Sequence, residues 1–587
     1  MCSSELWSAA DAGTARRRAR GRIRTPPPVL ETDRVLPCHT CLLLGINRDV
    51  AQLGGGMAAP SVGPRFSGQP DLLRVSASDV QTLPQGCGLH GALKVRHKLK
   101  PTEWERRRDD TQTFVLGVVR DVSLRLHDAL SSPDWEALSR LIQIELAQYQ
   151  LHAGDKNYIV RAIENYLNCH EISESELGSL RLRVCDPMVV PDPSVPSNQL
   201  TVWAPVYDNE SGVREVRKLR FGQARPAAKD VEAWAITAAH IAGLFRPRGH
   251  LERIRVVEVG LGDGSMEILF DGSPSLAESL YAAKVFPVVS KIVTSKKPTP
   301  GNSCGRCKIA GCCSSVEKLN GFLGQSRKGL ATRSVSAKDL EVYERCPAQW
   351  YLTSNNLPSG SDAPPSSERG RVIHEWLARA HMSSRKCDPS DLDAIDSYFP
   401  SGLDESDYLE ARGYVTQHAA ICPLGEGARV IGSEVSVYGY DAQADVVVVS
   451  KPDLLYVDSG DTFVIRETKT TTLSLPEDEQ EAFDRFFAVP WLLNLIGSGY
   501  RGPYKSENAR LELEVLALED SRVFSWDLGD ARLLRMAKAE VRLRAKKWHR
   551  DTTWNSAPGD HCRWCPVRGW CSDATVDDVD DHQFRIP

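Results

Sequence analysis

A pattern of four cysteines occurs twice in this chain of 587 residues, each time as one distant cysteine and a close group of three. Cys87 precedes its group by 217 positions, and Cys346 precedes its own by 216. Both groups have the spacing C-x2-C-x5-C; they are Cys304, Cys307 and Cys313 in the first copy, and Cys562, Cys565 and Cys571 in the second. An internal repeat of this length predicts two tandem lobes, each large enough for its own core.

The two copies also begin alike. Val75-Ser-Ala-Ser-Asp-Val leads to Cys87, and Val335-Ser-Ala-Lys-Asp-Leu leads to Cys346. A serine directly before a periodic segment is typical of a helix N-cap, so both stretches predict a helix start. The lobes are expected over residues 71–328 and 329–587, after a disordered basic, proline- and glycine-rich tail over residues 1–70.

The second copy contains a hairpin pattern with two acids and a lysine, KPDLLYVDSGDTFVIRETKT, over residues 451–470. Glu467 and Lys469 are two apart, so on a strand they point to the same face. Asp453 joins them only with an extra loop or bulge residue, because a two-residue loop would set it opposite Arg466. We therefore expect an odd loop or a bulge in this hairpin.

Two carboxylates and an ammonium on one sheet face suit magnesium-dependent phosphodiester hydrolysis. The acids hold a hard cation that keeps several waters, and the lysine can orient the attacking water or help deprotonate it. Ordinary surface charges on an exposed hairpin would give the same short pattern. The neighbouring motifs favour the catalytic interpretation.

Three motif pieces stand in one order along the second copy: Gly370-Arg-Val-Ile-His374 on a predicted helix, Pro452-Asp453, and Glu467-Thr-Lys469. In this the second copy resembles the PD-(D/E)xK nuclease superfamily, and more narrowly its RecB-like branch. The resemblance implies that Lys469 is the catalytic lysine. The ligands it implies for Mg²⁺ or Mn²⁺ are His374, Asp453, Glu467 and Thr468.

The same resemblance implies an α/β fold for both lobes, restriction-endonuclease-like, with a mixed sheet flanked by helices. On the next helix the family usually carries Q-x-x-x-Y, and Gln480 matches only the glutamine, so it is a further catalytic candidate. The first lobe is expected to be degenerate. It offers Pro205-Val206 in place of Pro452-Asp453, and Lys218 in place of a metal-binding glutamate.

The cysteine pattern differs from a zinc ribbon, which has two C-x-x-C pairs. It resembles the iron–sulfur subgroup of RecB-like nucleases, including AddB and the CRISPR adaptation nucleases, in which four thiolates hold a 4Fe–4S cluster. The resemblance implies two such clusters, one per lobe, on the eight cysteines named above. Zinc or free thiols remain the alternatives. A cluster would close a loop of more than two hundred residues and so offset its chain entropy.

The net charge of −5 means that any nucleic-acid surface must be local. The last predicted helix before the second cysteine group supplies such a surface, with Arg532, Arg535, Lys538, Arg542, Arg544, Lys546, Lys547 and Arg550. Four tryptophans near it could stack on unpaired bases, although core packing is the default: Trp548, Trp554, Trp564 and Trp570. DNA is the expected partner.

The sequence has no apolar run long enough to span a bilayer, so no membrane partner is expected. The sixteen cysteines are interpreted as metal ligands in a reducing cytoplasm. We find no Walker A lysine motif, so a helicase motor or other subunit would be a separate chain.

These features together predict a Mg²⁺- or Mn²⁺-dependent deoxyribonuclease acting at DNA ends or single strands, in repair, recombination or defence. The alternative is a non-catalytic DNA-binding or scaffold subunit of a nuclease–helicase complex. The intact set of His374, Asp453, Glu467 and Lys469 in the second copy favours the enzyme.

Overall fold

The computed structural model describes residues 65–102, 115–126, 135–184, 187–193, 195–226, 228, 230–245, 250–326, 333–360, 365–388, 405–500 and 509–574. Residues 1–64 of the predicted tail lie outside the described residues. The end of that tail lies within them, where Phe66–Ser67 pairs antiparallel with Lys100–Pro101.

In the first half, the described strands are β1 (Phe66–Ser67), β2 (Arg74–Ser76), β3 (Lys100–Pro101), β4 (Arg181–Val184), β5 (Met188–Asp192), β6 (Val195–Val202), β7 (Val206–Asp208), β8 (Val213–Arg220), β9 (Arg253–Gly260) and β10 (Met266–Gly272). The helices are α1 (Ala77–Thr82), α2 (Gly88–Val95), α3 (Val115–Leu126), α4 (Trp135–Leu146), α5 (Ala153–Leu177), α6 (Ala233–Leu244), α7 (Pro274–Leu280) and α8 (Phe286–Thr294).

The remaining strands are β11 (Glu317–Leu319), β12 (Arg333–Val335), β13 (Arg429–Ser433), β14 (Val437–Asp441), β15 (Val446–Ser450), β16 (Leu454–Val457), β17 (Phe463–Thr470), β18 (Ala509–Leu516) and β19 (Ser521–Asp527). The helices of the second half are α9 (Ala337–Arg345), α10 (Pro347–Ser354), α11 (Pro365–Met382), α12 (Glu405–Ile421), α13 (Glu479–Arg485), α14 (Ala488–Gly497) and α15 (Ala531–Arg550).

Each half carries a five-stranded mixed sheet, and the strand order is the same in both. The orders are β4-β7-β8-β9-β10 and β13-β16-β17-β18-β19. In both sheets the third and fourth strands are parallel and the other neighbours are antiparallel. A parallel pair needs a crossover, which α6 makes in the first half and α13 with α14 in the second. The predicted mixed α/β fold is confirmed.

A smaller sheet repeats as well, which the sequence did not predict. β2 pairs parallel with β6, and β5 completes that sheet; β12 pairs parallel with β15, and β14 is its antiparallel neighbour. The strands that begin these sheets, β2 and β12, have only three residues each. Three residues are too few to show the apolar–polar alternation by which a strand is recognised in a sequence.

The two serines predicted as N-caps begin equivalent helices, α1 and α9. The Ser76 hydroxyl accepts a hydrogen bond from the Asp79 backbone N–H at 3.0 Å, and Ser336 accepts one from Asp339 at 3.2 Å. Each aspartate in turn accepts from the backbone N–H of its serine. These capping boxes satisfy donors that a helix start leaves unpaired, so both predicted starts are confirmed.

One hydrophobic cluster spans the two halves, and a second lies within the first half alone. A single cluster of buried residues contains Leu167 and Val257 from the first half and Trp350 and Leu352 from the second. Strand β11 precedes the second half in sequence, yet it pairs in parallel with β14. The described residues, which begin at residue 65, accordingly form a single unit. None of the helices in the described ranges is long and apolar enough to cross a lipid bilayer.

Three of the four tryptophans named above pack in this core. Trp548, Trp554 and Trp570 are at most 8% exposed, whereas Trp564 is 44% exposed. The Trp548 ring lies edge-on to Trp350, with 5.8 Å between ring centroids. Core packing therefore accounts for three of these side chains, and Trp564 is the one accessible to a base.

We expect Trp548→Ala to lower the free energy of unfolding by about 3–5 kcal/mol, because the missing ring leaves a cavity in a close-packed core. The matched control, Trp564→Ala, should change it by less than about 0.5 kcal/mol. Urea denaturation followed by circular dichroism measures both. Equal losses for the two variants would contradict the packing described here.

Candidate active site

The hairpin of β16 and β17 has the register that the candidate site requires. Leu454 lies opposite Arg466, so the next pair in the same register is Asp453 and Glu467. A backbone hydrogen bond at the base of the turn leaves a three-residue loop, 459–461. The expected odd loop is confirmed, and it sets the two acids side by side.

Side chains from α11, β16 and β17 converge at this point. The Nδ1 atom of His374, on α11 as predicted, lies 2.8 Å from Asp453 Oδ1. The backbone N–H of Thr468 donates to Asp453 Oδ2 at 2.6 Å. Lys469 Nζ donates to Glu467 Oε1 at 2.6 Å, which shows that these two residues share a face. The structure thus brings the predicted acids, histidine and lysine together.

Thr468 contributes to this group only through its backbone. Its hydroxyl donates to Glu514 at 3.1 Å, within the protein interior. Neighbouring residues on a strand face opposite sides, so the Thr468 side chain points away from Glu467 and Lys469. A ligand role for Thr468 would therefore fall to its carbonyl oxygen.

Glu434 is a third carboxylate at this place, and the sequence pattern did not reveal it. It follows β13, whose last residue, Ser433, lies opposite Leu454, so Glu434 comes next to Asp453. The ligand atoms of His374, Glu434 and Asp453 all lie within 4.8 Å of one another. Glu434 reaches the site because β13 pairs with β16. The two strands are separated in sequence by the β14–β15 hairpin, so no local motif predicts this pairing.

Glu434 also has an unusual backbone, with a φ of 54°. For a residue with a Cβ, the left-handed region costs roughly 1–2 kcal/mol. Its N–H donates to the Asp453 carbonyl at 3.0 Å, which holds this conformation in place. Such outliers are typical of functional sites.

Residues 334–572 match the model of the PD-(D/E)XK nuclease superfamily. The chain contains a PD-(D/E)XK nuclease superfamily domain. The match lies entirely in the second half of the repeat, where the three carboxylates, His374 and Lys469 meet. No curated protein matches this chain.

Two solved structures are similar to parts of the chain. The crystal structure of a “putative exonuclease” from Eubacterium rectale has 9% identity and a TM-score of 0.24, and the similarity covers 37% of this chain and 81% of that one. The crystal structure of SSO0001 has 13% identity and a TM-score of 0.19, with 41% of this chain and 87% of that one covered. At these TM-scores the two similarities support no inference about function.

Burial and neighbouring charges shift the pKa values of Glu467 and Lys469 in the nuclease domain. Burial raises the pKa of Glu467 to about 7, against the opposing charge of Lys469 and with repulsion from Asp453 adding to the effect. Burial favours the neutral amine of Lys469, yet the carboxylates of Glu467 and Asp453 outweigh it and raise the lysine pKa. The lysine is therefore an ammonium ion over the physiological pH range.

His374 is held between two carboxylates. Burial alone would lower its pKa, but the hydrogen bond to Asp453 and the Glu434 carboxylate, 3.6 Å from Nδ1, raise it to about 10. Lys451 forms an ion pair with the other oxygen of Glu434. In the metal-free site, the proton on His374 and the ammonium groups of Lys451 and Lys469 thus offset the negative charge of the carboxylates.

Gln480 lies on α13, and its side chain is exposed. Its amide donates to both carboxylate oxygens of Asp484, one turn later on the same helix, at 3.1 Å. No described hydrogen bond joins Gln480 to Asp453 or Glu467. Its catalytic role stays a prediction.

The first half has no equivalent open site at β8. Arg217 Nε donates to Glu215 Oε1 at 2.7 Å, and both side chains are fully buried. Lys218, expected to leave positive charge in place of the metal, is instead 3.0 Å from both Glu232 and Glu258. An acid-x-base pair is thus present on β8, but it is enclosed, and the neighbouring lysine is neutralised by two carboxylates.

Each set of four predicted cysteines lines one cavity. Cys87, Cys304, Cys307 and Cys313 line the first cavity, and Cys346, Cys562, Cys565 and Cys571 line the second. Backbone N–H groups donate to several of the sulfurs, including those of Cys87, Cys304 and Cys562. The structure therefore confirms that the distant cysteine of each copy meets its group of three.

The basic helix α15 borders the nuclease site through α9. Arg544 pairs with Glu344 of α9 at 2.7 Å, and Glu341 of the same helix is among the carboxylates that raise the pKa of Lys469. Arg542 is directed inward, to the carbonyl of Gly321. The cations of α15 that remain exposed are Arg532, Arg535, Lys546, Lys547 and Arg550.

The raised pKa of His374 predicts how stability depends on pH in metal-free protein. Because its folded-state pKa, about 10, exceeds the unfolded value of about 6.5, its stabilising effect is complete below about pH 6.5 and is lost as the pH rises towards 10. Glu434→Gln removes one of its partners, so the stability lost in this variant should be larger at about pH 6 than at about pH 10.

Denaturant unfolding of the metal-free protein at both pH values measures this difference. The control is the same substitution in a His374→Gln background, where the loss should not change with pH in this way. A pH-independent loss in the presence of His374 would show that the histidine is not held by Glu434.

Proposed function

We propose that the nuclease domain hydrolyses phosphodiester bonds of DNA with Mg²⁺ or Mn²⁺, at DNA ends or in single strands. The observation that carries this proposal is the convergence of His374, Glu434 and Asp453 beside the Glu467–Lys469 pair. The carboxylates lie at the end of β13, just before β16 and on β17, and the histidine comes from a helix. Side chains so distant in sequence would not gather negative charge at one point for stability alone.

The donor set suits a hard divalent cation. Carboxylate oxygens are the ligands that Mg²⁺ and Mn²⁺ prefer, and an imidazole is compatible with Mn²⁺. Burial, with repulsion from Asp453 adding to it, raises the pKa of Glu467, and a bound cation would favour the ionised carboxylate. The residues that would hold it are His374, Glu434, Asp453, Glu467 and, through its carbonyl, Thr468. A cation bound there supplies Lewis acidity and lowers the pKa of a coordinated water.

The protein's own groups then position the substrate. In the metal-free site Lys469 is an ammonium ion, whose N–H groups can orient a water and offset charge on a phosphate. Asp453 is fixed by the Thr468 N–H and by His374, which keeps its carboxylate in one orientation. Fixed groups of this kind reduce the reorganisation that the reaction needs.

DNA is the proposed substrate because exposed basic and aromatic side chains lie in the same half of the chain as the site. The exposed cations of α15 can contact phosphates, and the exposed ring of Trp564 can stack on an unpaired base. A separate helicase or other subunit stays a prediction.

Asp453→Ala, Glu467→Ala and Lys469→Ala should each reduce cleavage by about 10³-fold or more, because each removes a ligand or the orienting cation from one unit. End-labelled single- and double-stranded DNA, each with Mg²⁺, Mn²⁺ or EDTA, provides the assay. EDTA should abolish cleavage by the unmodified protein.

Glu479→Ala is the matched control, because Glu479 is an exposed acid on α13 outside this group. It should retain full activity. Full activity in a folded Glu467→Ala variant would overturn the assignment, and DNA binding without any cleavage by the unmodified protein would favour the scaffold alternative.

We further propose that each cysteine cavity holds a 4Fe–4S cluster. A single zinc ion would bring its sulfurs to about 3.8 Å from one another, given Zn–S bonds of about 2.3 Å. Two groups of at least three metal-binding side chains in the described ranges have ligand atoms within 4.8 Å of one another, and neither includes any of these eight cysteines. Wider spacing, a cavity and N–H donors to sulfur suit a cluster better than a single ion.

Protein purified without oxygen should therefore be brown and contain about eight irons per chain, from two four-iron clusters. Cys565→Ser should remove about half of the iron, because it removes a sulfur ligand from the second cavity only. Iron analysis and visible absorption measure both. Colourless protein without iron would contradict the proposal, and four irons that Cys87→Ser leaves unchanged would restrict it to the second half.

A further inference from the structure

Another group of metal-binding side chains lies in the second half, apart from the nuclease site and from both cysteine cavities. Its members are His381 at the end of α11, Cys387 after it, His418 on α12 and Cys422 directly after α12. They are 2%, 4%, 0% and 8% exposed, respectively. One ligand atom from each lies within 4.8 Å of all the others. Nothing in the nuclease mechanism uses these residues.

The distances between these atoms agree with tetrahedral zinc. His381 Nε2 is 3.1 Å from His418 Nε2, and Cys387 Sγ is 3.5 Å from that same nitrogen. Bonds of about 2.0–2.1 Å to nitrogen and about 2.3 Å to sulfur put tetrahedral neighbours about 3.3 Å apart for two nitrogens and about 3.5 Å apart for nitrogen and sulfur. An ion at the centre of the group would need little movement of its ligands.

A buried carboxylate orients one of the imidazoles. His418 Nδ1 lies 2.6 Å from Glu514 Oε1, and Glu514, on β18, is fully buried. When Nδ1–H donates to this carboxylate, the lone pair of Nε2 faces the other three side chains. A zinc-bound histidine usually donates its other ring N–H to a carboxylate, a backbone carbonyl or a water. The backbone N–H of Cys387 also donates to Cys422 Sγ at 3.4 Å, a contact that favours a thiolate.

We propose that His381, Cys387, His418 and Cys422 bind one structural Zn²⁺ ion. Two thiolates and two imidazoles are a donor set typical of zinc, and four protein ligands in a buried site leave no open position for catalysis. Soft sulfur donors disfavour Mg²⁺ and Ca²⁺. The site is structural, and it differs in ligands and in place from the nuclease site and the cysteine cavities.

The ion would brace the nuclease domain on the face of β17 opposite to Glu467 and Lys469. It joins the end of α11, which carries His374, to the end of α12. Through Glu514 it reaches the hydroxyl of Thr468, whose backbone N–H holds Asp453. This bracing role rests on the proposed nuclease function, whereas zinc binding itself does not.

Zinc content tests the site without any DNA cleavage. Protein produced with added zinc and dialysed against EDTA should retain one zinc more than Cys422→Ser or His418→Gln, as measured by inductively coupled plasma mass spectrometry. The matched control is Cys169→Ser, a buried thiol of the first half whose Sγ donates to the Gly264 carbonyl. It should keep the full zinc content. Cys422→Ser with the zinc content of the unmodified protein would overturn the proposal.

Two further measurements cover variants that fail to fold. Zinc-edge X-ray absorption of the unmodified protein should show two sulfurs at about 2.3 Å and two nitrogens at about 2.0–2.1 Å. Glu514→Gln should weaken zinc binding about 10- to 100-fold in competition with a chelator. Zinc surrounded by four sulfurs, or unmodified protein without zinc, would overturn the proposal. Loss of DNA cleavage in a zinc-site variant would not test zinc binding, because cleavage depends on the proposed nuclease function.

Discussion

The buried ion pair between Arg466 and Glu512 fixes the strand on which the nuclease site depends. Two guanidinium nitrogens of Arg466 donate to one oxygen of Glu512, at 2.9 and 2.6 Å, and neither residue is more than 6% exposed. Losing one partner of such a pair costs roughly 3–5 kcal/mol, because the other charge stays buried. A shift of β17 by one residue would break this pair, so Glu467 and Lys469 are held on the opposite face.

Strand β17 therefore separates two chemical environments. One face carries the partly buried Glu467 and Lys469, and the other carries Thr468 towards the buried carboxylate of Glu514. Glu514 in turn meets His418 of the proposed zinc site. One strand thus connects the interior cluster to the acids of the nuclease site.

Local signals in the sequence predicted the parts of this arrangement that are close in the chain. The N-cap serines, the odd loop of the hairpin and the common face of Glu467 and Lys469 each depend on a few neighbouring residues. The cysteine sets were found over long range only because they occur twice. Glu434 was missed because its place depends on strand pairing across an intervening hairpin.

The histidine–cysteine cluster was missed for a related reason. Its two pairs, H-x5-C and H-x3-C, lie 31 residues apart from Cys387 to His418 and match no familiar spacing. The two glutamates that neutralise Lys218 come from other elements, so its sequence neighbours did not reveal them. In each case, long-range packing decided what a side chain meets, and a single sequence does not report it.

Strand β11 has a consequence for how the chain can be divided. It lies before residue 329, where the second copy of the repeat was expected to begin, yet it completes the edge of the second half's smaller sheet beside β14. A fragment that starts at residue 329 would leave β14 with unpaired N–H and C=O groups along one side. Exposed edges of this kind recruit other strands and promote aggregation. A fragment that keeps β14 paired therefore needs a boundary upstream of Glu317.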